Sequence, residues 1–383
     1  MKTPKIMPVF GTRPEAIKMA PVIKKLKTEK SIKTVVTVTA QHREMLDQVL
    51  DLFDIKVDYD LDLMKKNQSL TGLTGRILKK MEQIYLKEKP DLVLIHGDTT
   101  TTFSGALASF YQKIKIGHIE AGLRTNNKYF PYPEEMNRHL TGVLADIHFA
   151  PTDKARKNLI AENIARDNIY VTGNTVIDSM QEIVRRENKL NISELNDINF
   201  NSKKIILLTT HRRENMGQPM REIFKAVKEI VENNPQVELI FPVHLNPKIR
   251  NLTEKLLKPV KRIHLIEPLG YESFVNLMAK SELILTDSGG VQEEAPGLGK
   301  PVLVLRENSE RLEAVKAGTV KKVGTDKEKI INNTQKLLDN QQEYKKMAKA
   351  INPYGDGNAS QRIINRILFE FRLQEDSGKE FKI

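Results

Sequence analysis

Two carboxylates, Glu120 and Glu134, stand out in residues 118–138, HIEAGLRTNNKYFPYPEEMNR, where a solvated surface would not put them. Glu120 follows the apolar run Ile114–Ile119, the pattern of a buried parallel strand, so it lies where that strand stops. Glu134 follows Pro131 and Pro133 and opens a helix-like segment. Carboxylates in such positions either cap backbone amides or transfer protons. Asp98 carries the same ambiguity, because GDTTTT (97–102) sets it at a strand end just before threonines that can cap a helix equally well.

Cationic and glycine-rich segments offer the complementary chemistry. GTRPEAIK (11–18) has a glycine turn, Pro14 near a helix start, Arg13 in the turn and Lys18 one turn into the helix, both able to face an anion. It lacks the Gly-x4-Gly-Lys-Ser/Thr spacing of a Walker motif. HRREN (211–215) brings His211 to a strand end with Arg212 and Arg213 beside it, and His244 ends another strand. In TDSGGVQEEAPG (286–297), the Ser288 hydroxyl and the amides of a helix start suit a phosphate, and Gly289 and Gly290 permit close approach. Glu294, one turn further, suits a ribose diol. An ordinary strand-to-helix turn is the competing reading of that segment. No HExxH or comparable spacing supports a metal site.

Short Val- and Ile-rich runs alternating with helical patterns must position these groups. The strand candidates are Lys5–Phe10, Thr34–Thr39, Leu92–His96, Ile114–Ile119, Ile147–Ala150 and Ile169–Thr172, then Ile205–Thr210, Val237–Pro242, Ile263–Ile266, Leu283–Thr286 and Val302–Leu305. Helical patterns over Ala16–Lys27, Arg43–Phe53 and Leu73–Lys87 lie between the early ones. This rhythm predicts βαβ units and parallel sheets covered on both faces. Pro8 is awkward for a central strand, since it cannot donate to the ladder. The rhythm breaks between Gly173 and Lys204, so the reading is a first domain over 1–173, a junction over 174–203 and a second domain over 204–359. An amphipathic helix over 360–373 is expected to complete the first domain, with 374–383 as a frayed tail. Ligands of open α/β sheets bind beyond the carboxyl ends of the strands, which is where nearly all the polar groups named above fall. One active site between two domains is the expectation.

At 383 residues, 39% hydrophobic and 29% charged, the composition is that of a soluble globular protein of about two domains. The net charge of +12 favours an anionic ligand, but the lysines are spread over helix faces and no basic run is interleaved with aromatics, which argues against nucleic acid. No apolar run approaches the roughly 20 residues that span a bilayer, and no signal peptide is read. The absence of cysteine excludes disulfides and thiolate metal sites and fits a cytoplasmic protein.

Taken together, GTRPEAIKMAP, GDTTTT, HIEAGLRT, PYPEEMNR, GNTVID, HRREN, TDSGGVQEEAPGLGKPVL and YGDGNASQRI resemble the bacterial non-hydrolysing UDP-N-acetylglucosamine 2-epimerases over almost the whole chain. The resemblance implies two Rossmann-like doubly wound α/β domains facing a central cleft, of the glycosyltransferase-B type. It implies reversible interconversion of UDP-GlcNAc and UDP-ManNAc without a cofactor, through elimination of UDP to 2-acetamidoglucal and re-addition with C2 inverted. Asp98, Glu120 and Glu134 match the family's catalytic acids, their division of labour open, with Lys18 and His211 beside the reacting sugar and diphosphate. Arg13, His244, Phe274, Ser288, Gly289, Gly290 and Glu294 match the UDP site; Gln41, His42, Gln68 and Arg212, together with His244, match a second pocket for UDP-GlcNAc as activator, with Glu134 at its border. A homodimer is likewise implied. Asn67 replaces the Arg that activated members often carry, and Leu312 replaces a usual Pro. A hydrolysing relative releasing ManNAc and UDP, a retaining sugar transferase and a non-catalytic sugar-nucleotide sensor are the alternatives.

Overall fold

The computed structural model describes residues 3–40, 43–63, 68–186, 190, 192–307 and 311–382, which form two compact units. The first comprises Met1–Ser179 with Tyr354–Lys382. Its strands are β1 (Lys5–Phe10), β2 (Lys33–Thr34), β3 (Thr37–Val38), β4 (Tyr59–Asp60), β5 (Leu92–His96), β6 (Lys115–Ile119), β7 (Ile147–Ala150) and β8 (Ile169–Val171). They form one parallel sheet in the order β4-β3-β1-β5-β6-β7-β8, with β2 also paired to β1. Helices α1 (Arg13–Thr28), α2 (Arg43–Leu52), α3 (Leu70–Glu88), α4 (Thr100–Tyr111), α5 (Glu134–Leu144) and α6 (Asp153–Ala161) make the crossovers, and α7 (Thr175–Arg185) follows β8.

β1 is central despite Pro8, and the ladder shows why this is tolerated. The carbonyls of Ile6 and Phe10 accept from Val35 and Thr39, so Pro8, in the same phase, turns its missing donor toward that neighbour. There the expected single strand 34–39 is split into β2 and β3, and the pairing is interrupted between Ile6↔Thr34 and Val9↔Thr37 with the register unchanged. The absent N–H thus falls at a break in the partner strand. On the other side Pro8 stays in register with Leu94 of β5.

The second unit comprises Met180–Pro353. Strands β9 (Lys204–Thr209), β10 (Val237–Pro242), β11 (Ile263–Ile266), β12 (Leu283–Thr286), β13 (Val302–Val304) and β14 (Val320–Lys322) form a parallel sheet in the order β11-β10-β9-β12-β13-β14. Helices α8 (Gln218–Asn233), α9 (Pro247–Leu256), α10 (Tyr271–Lys280), α11 (Gly289–Glu294), α12 (Leu312–Ala317), α13 (Lys327–Asp339) and α14 (Gln341–Ala348) flank it. α8 shows the logic: Met220, Ile223, Phe224, Val227, Ile230 and Val231 recur at helical spacing and are all buried in the core. Burying each such side chain contributes roughly 1.5–3 kcal/mol.

The final helix, α15 (Ala359–Glu370), belongs to the first unit and packs on α1. Its first amides would be orphaned, and the buried Asp178 of α7 accepts from Ala359 N at 3.2 Å, Ser360 N at 2.8 Å and the Ser360 hydroxyl. The tail is docked rather than frayed. Phe381 is buried and donates its N–H to the Val171 carbonyl at 2.8 Å. Glu380 accepts from Val171 N and pairs with Arg156 and Arg166, covering the outer edge of β8. One apolar residue in a polar stretch leaves no periodic signal, which is why the pattern suggests fraying. Among the described residues, no helix is long and apolar enough to cross a membrane.

Candidate active site

In the first unit the acids collect at the carboxyl ends of adjacent strands. β5 and β6 are paired through His96↔Ile119, and Gly97 N donates to the Ile119 carbonyl at 2.9 Å, so the Asp98 turn and Glu120 lie side by side. Thr99, not Asp98, caps α4: its hydroxyl accepts from Thr102 N. The Asp98 carboxylate instead pairs with Arg138, and Asn137 donates to the Asp98 carbonyl at 2.9 Å. Both partners come from α5, whose first residue is Glu134, on the same helix face at i+3 and i+4. Glu134 itself is partly exposed; its neighbour Glu135 is the buried acid, accepting from the Thr125 and Asn126 amides.

Glu120 has φ of 63°, the left-handed region that a side chain occupies at a cost of about 1 kcal/mol or more. Its carboxylate is held by Lys18 of α1 and by Asn174 Nδ2 at 2.7 Å. Burial pushes this carboxyl up, but Lys18, His96 and the two hydrogen bonds outweigh it and hold it at about 2. Asp98 moves the other way: burial raises it, Glu120 adds to the rise, and Arg138 and Lys18 only partly oppose. His96, fully buried, is pushed down to about 4, chiefly by desolvation.

A second buried acid organises these loops. Glu15 accepts from Gly11 N at 3.0 Å and Thr12 N at 2.8 Å, and from the hydroxyls of Thr99 at 2.7 Å and Thr102 at 3.1 Å. It thereby ties the turn bearing Arg13 to the turn bearing Asp98. Gly11 is required here, because a Cβ would collide with Thr39 Oγ1 and lie 2.6 Å from Thr101 Oγ1. His118 adds a buried contact between its Nε2 and the Gly97 carbonyl at 2.7 Å.

In the second unit the organiser is Asp287, fully buried at the end of β12. It accepts from the Thr210 hydroxyl, from His211 N and Arg212 N, and from Asn215 Nδ2, all within 2.8–3.1 Å. These bonds fold the HRREN segment against the DSGG turn. His211 stacks on His244, ring centroids 5.5 Å apart and planes 10° apart. Burial lowers the His211 imidazole, helped by His244 and Arg212 and opposed by Asp287. Ser288 caps α11 by position, Gly289 lies against the Arg311 and Arg212 guanidinium groups, and Tyr271 donates to Glu294 at 3.1 Å. Phe274 lies partly exposed on α10.

Thus Arg13, Lys18, Asp98, Glu120 and Glu134 gather in the first unit, and His211, Arg212, His244, Ser288, Gly289, Gly290 and Glu294 in the second. Gln68 bonds to Arg76, away from these groups in chain order, while Gln41, His42 and Asn67 lie outside the described residues. Glu15, Asn174, Arg138 and Asp287 are site residues that reading along the chain does not single out. No group of three His, Asp or Glu poised for a metal ion occurs among the described residues.

With that geometry established, similarity to known proteins becomes informative. The sequence profile of the family described as UDP-N-acetylglucosamine 2-epimerase matches residues 24–368. A Bacillus subtilis UDP-N-acetylglucosamine 2-epimerase is 53% identical over 381 residues, covering 100% of this chain and 99% of that one. The crystal structure of the Neisseria meningitidis enzyme bound to UDP-GlcNAc is similar with a TM-score of 0.83 at 52% identity, covering 95% of this chain and 99% of that one. A Methanocaldococcus jannaschii epimerase in complex with UDP-GlcNAc and UDP gives 0.75 at 36% identity, covering 96% and 99%. The chain belongs to the UDP-N-acetylglucosamine 2-epimerase family of isomerases.

Proposed function

We propose that this enzyme is the non-hydrolysing kind, interconverting UDP-GlcNAc and UDP-ManNAc by elimination of UDP across C1–C2 and re-addition with C2 inverted. The observation that carries this reading is the pair Asp98 and Glu120, adjacent at two strand ends in environments that push their protonation in opposite directions. Glu120, held ionised, accepts the proton from C2; the C2–H electron pair becomes the C1=C2 bond as the C1–O bond breaks. UDP departs with the negative charge. Asp98, biased toward its neutral form, supplies a proton to C2 when UDP adds back, and Glu134 borders the same reaction. Lys18 and Arg13 offset the diphosphate charge, at roughly 3 kcal/mol per well-placed donor.

In this reading His211, His244, Phe274, Ser288, Gly289, Gly290 and Glu294 hold UDP. The relatives crystallised with UDP-GlcNAc and UDP support a nucleotide-sugar ligand. Activation by a second UDP-GlcNAc, through the residues that the resemblance assigns to it, belongs to the same reading. A homodimer fits the large apolar side chains of Phe110, Tyr111 and Val143, exposed on the mutually packed α4 and α5. The product supplies ManNAc for a cell-surface polysaccharide or teichoic acid, made in the cytoplasm.

Incubation with UDP-GlcNAc in D2O tests the reading. UDP-ManNAc carrying deuterium at C2 is expected. Free ManNAc with UDP would show a hydrolysing enzyme instead, and binding without exchange would show a sensor.

A further inference from the structure

The structure points to Asn174 as a positioning residue that selects which oxygen of Glu120 works. We propose that Asn174 and Lys18 together occupy Oε2, leaving Oε1 as the atom that exchanges the C2 proton. This deepens, and rests on, the epimerase reading above.

Asn174 lies in the segment TGNTVID, which no chemistry in the sequence makes conspicuous. Asn174 is 3% exposed and sits directly before α7. Its two amide ends do different work. Oδ1 accepts from Val176 N at 3.1 Å, capping α7; Nδ2 donates to Glu120 Oε2 at 2.7 Å. Its backbone N–H is fixed separately, on the Tyr354 carbonyl at 2.6 Å. A side chain pinned at backbone, cap and donor has little freedom to follow Glu120, so Glu120 must conform to it. Lys18 meets the same oxygen from α1.

Glu120 Oε1 is left facing the Gly97 turn, where a Cβ built on Gly97 would lie 3.8 Å from it. Among the described residues no hydrogen bond reaches it. That turn leads into Asp98, so Oε1 lies on the side of the second acid. The two donors also matter because Glu120 sits in left-handed backbone, which alone would not hold its side chain in one place. The charged and titratable groups around this carboxylate are Lys18 from α1, His96 at the end of β5 and Asp98 beyond it. Asn174 is the neutral member of that shell, so it steers without adding charge.

Its cap and donor roles can be separated by substitution. Asn174→Ser and Asn174→Asp both retain an oxygen that caps α7, while neither can donate to Glu120 as the amide does. Asn174→Asp also sets a second carboxylate beside Glu120, and two such groups share protons. With UDP-GlcNAc, Asn174→Ser should lower kcat about tenfold with KM within about threefold, the pattern of lost orientation. Asn174→Asp should add an acidic limb to the pH profile that the parent lacks. A turnover-independent reading comes from carboxyl 13C NMR of the labelled protein, with the Glu120 signal identified by its loss in Glu120→Gln. That signal should titrate at higher pH in Asn174→Asp than in the parent.

Lowered kcat in both variants with the parent's pH profile and titration retained would show that Asn174 does not govern the Glu120 carboxylate and would overturn the inference. Parent-like kcat in Asn174→Ser would overturn it equally. A parent that places no deuterium at C2 contradicts the epimerase reading instead, and the NMR titration still decides whether Asn174 governs the Glu120 carboxylate.

Discussion

In the proposed reaction the two units use a carboxylate at a strand end for opposite purposes. In the second, Asp287 is spent entirely on donors of the neighbouring HRREN segment, two of them backbone amides, so it is scaffold. In the first, Glu120 is bound through one oxygen by Lys18 and Asn174, and Asp98 is paired on its side chain with Arg138 while Asn137 takes its backbone carbonyl. The scaffold duty there is delegated to Glu15, which joins two turns through four hydrogen bonds. The lesson is that burial alone does not mark a working acid. What separates them is whether the partners consume every acceptor site.

This contrast can be broken by substitution. Asp98→Asn should lower epimerisation about 100-fold, the scale of a lost proton-transfer group, with UDP affinity within about threefold by calorimetry. Asp287→Ala should reverse the pattern. UDP should bind about tenfold more weakly, urea unfolding should report a loss of about 3 kcal/mol from the orphaned donors, and deuterium should still enter C2 at saturating substrate. A collapse of the chemical step in Asp287→Ala, with binding intact, would erase the distinction between the units.

Acid titration gives a smaller effect with a definite sign. Glu120 is held below its ordinary 4.5, so the stability it contributes is complete above that pH and is lost as pH falls toward about 2. Asp98 is raised from 3.8, so its contribution is present below that pH and is lost as pH rises through its folded value. Thermal unfolding of Glu120→Gln across the acid range should therefore show a flatter fall below pH 4.5 than the parent. The smallest change is expected for Thr99→Ala, which loses the α4 cap and one of Glu15's four donors, together worth about 2 kcal/mol in unfolding experiments.

Much of this architecture is legible in the chain because buried parallel strands are written as Val and Ile runs. Lys5–Phe10, Leu92–His96, Val237–Pro242 and Leu283–Thr286 are strands with the bounds those runs suggest. Tyr59–Asp60 and Val320–Lys322 are not legible, being two- and three-residue edge strands without an apolar run. The strand-end rule finds Asp98, Glu120, His211 and Ser288, since it needs only the position after a strand. It does not find Asn174, which meets Glu120 from 54 positions away, or tell Glu15 and Asp287 from solvated acids. Those assignments depend on which side chains tertiary packing brings together. Asp98 shows the gain: adjacent threonines leave its capping role open until Thr99 takes it.

Central to the proposed reaction is proton transfer at C2 by Glu120, with UDP held by other groups. Glu120→Gln, assayed in D2O with UDP-GlcNAc and titrated with UDP by calorimetry, tests it most directly. UDP binding within about threefold of the parent and deuterium incorporation at C2 reduced about 100-fold or more are expected. Near-parental deuterium incorporation in the folded variant would contradict it.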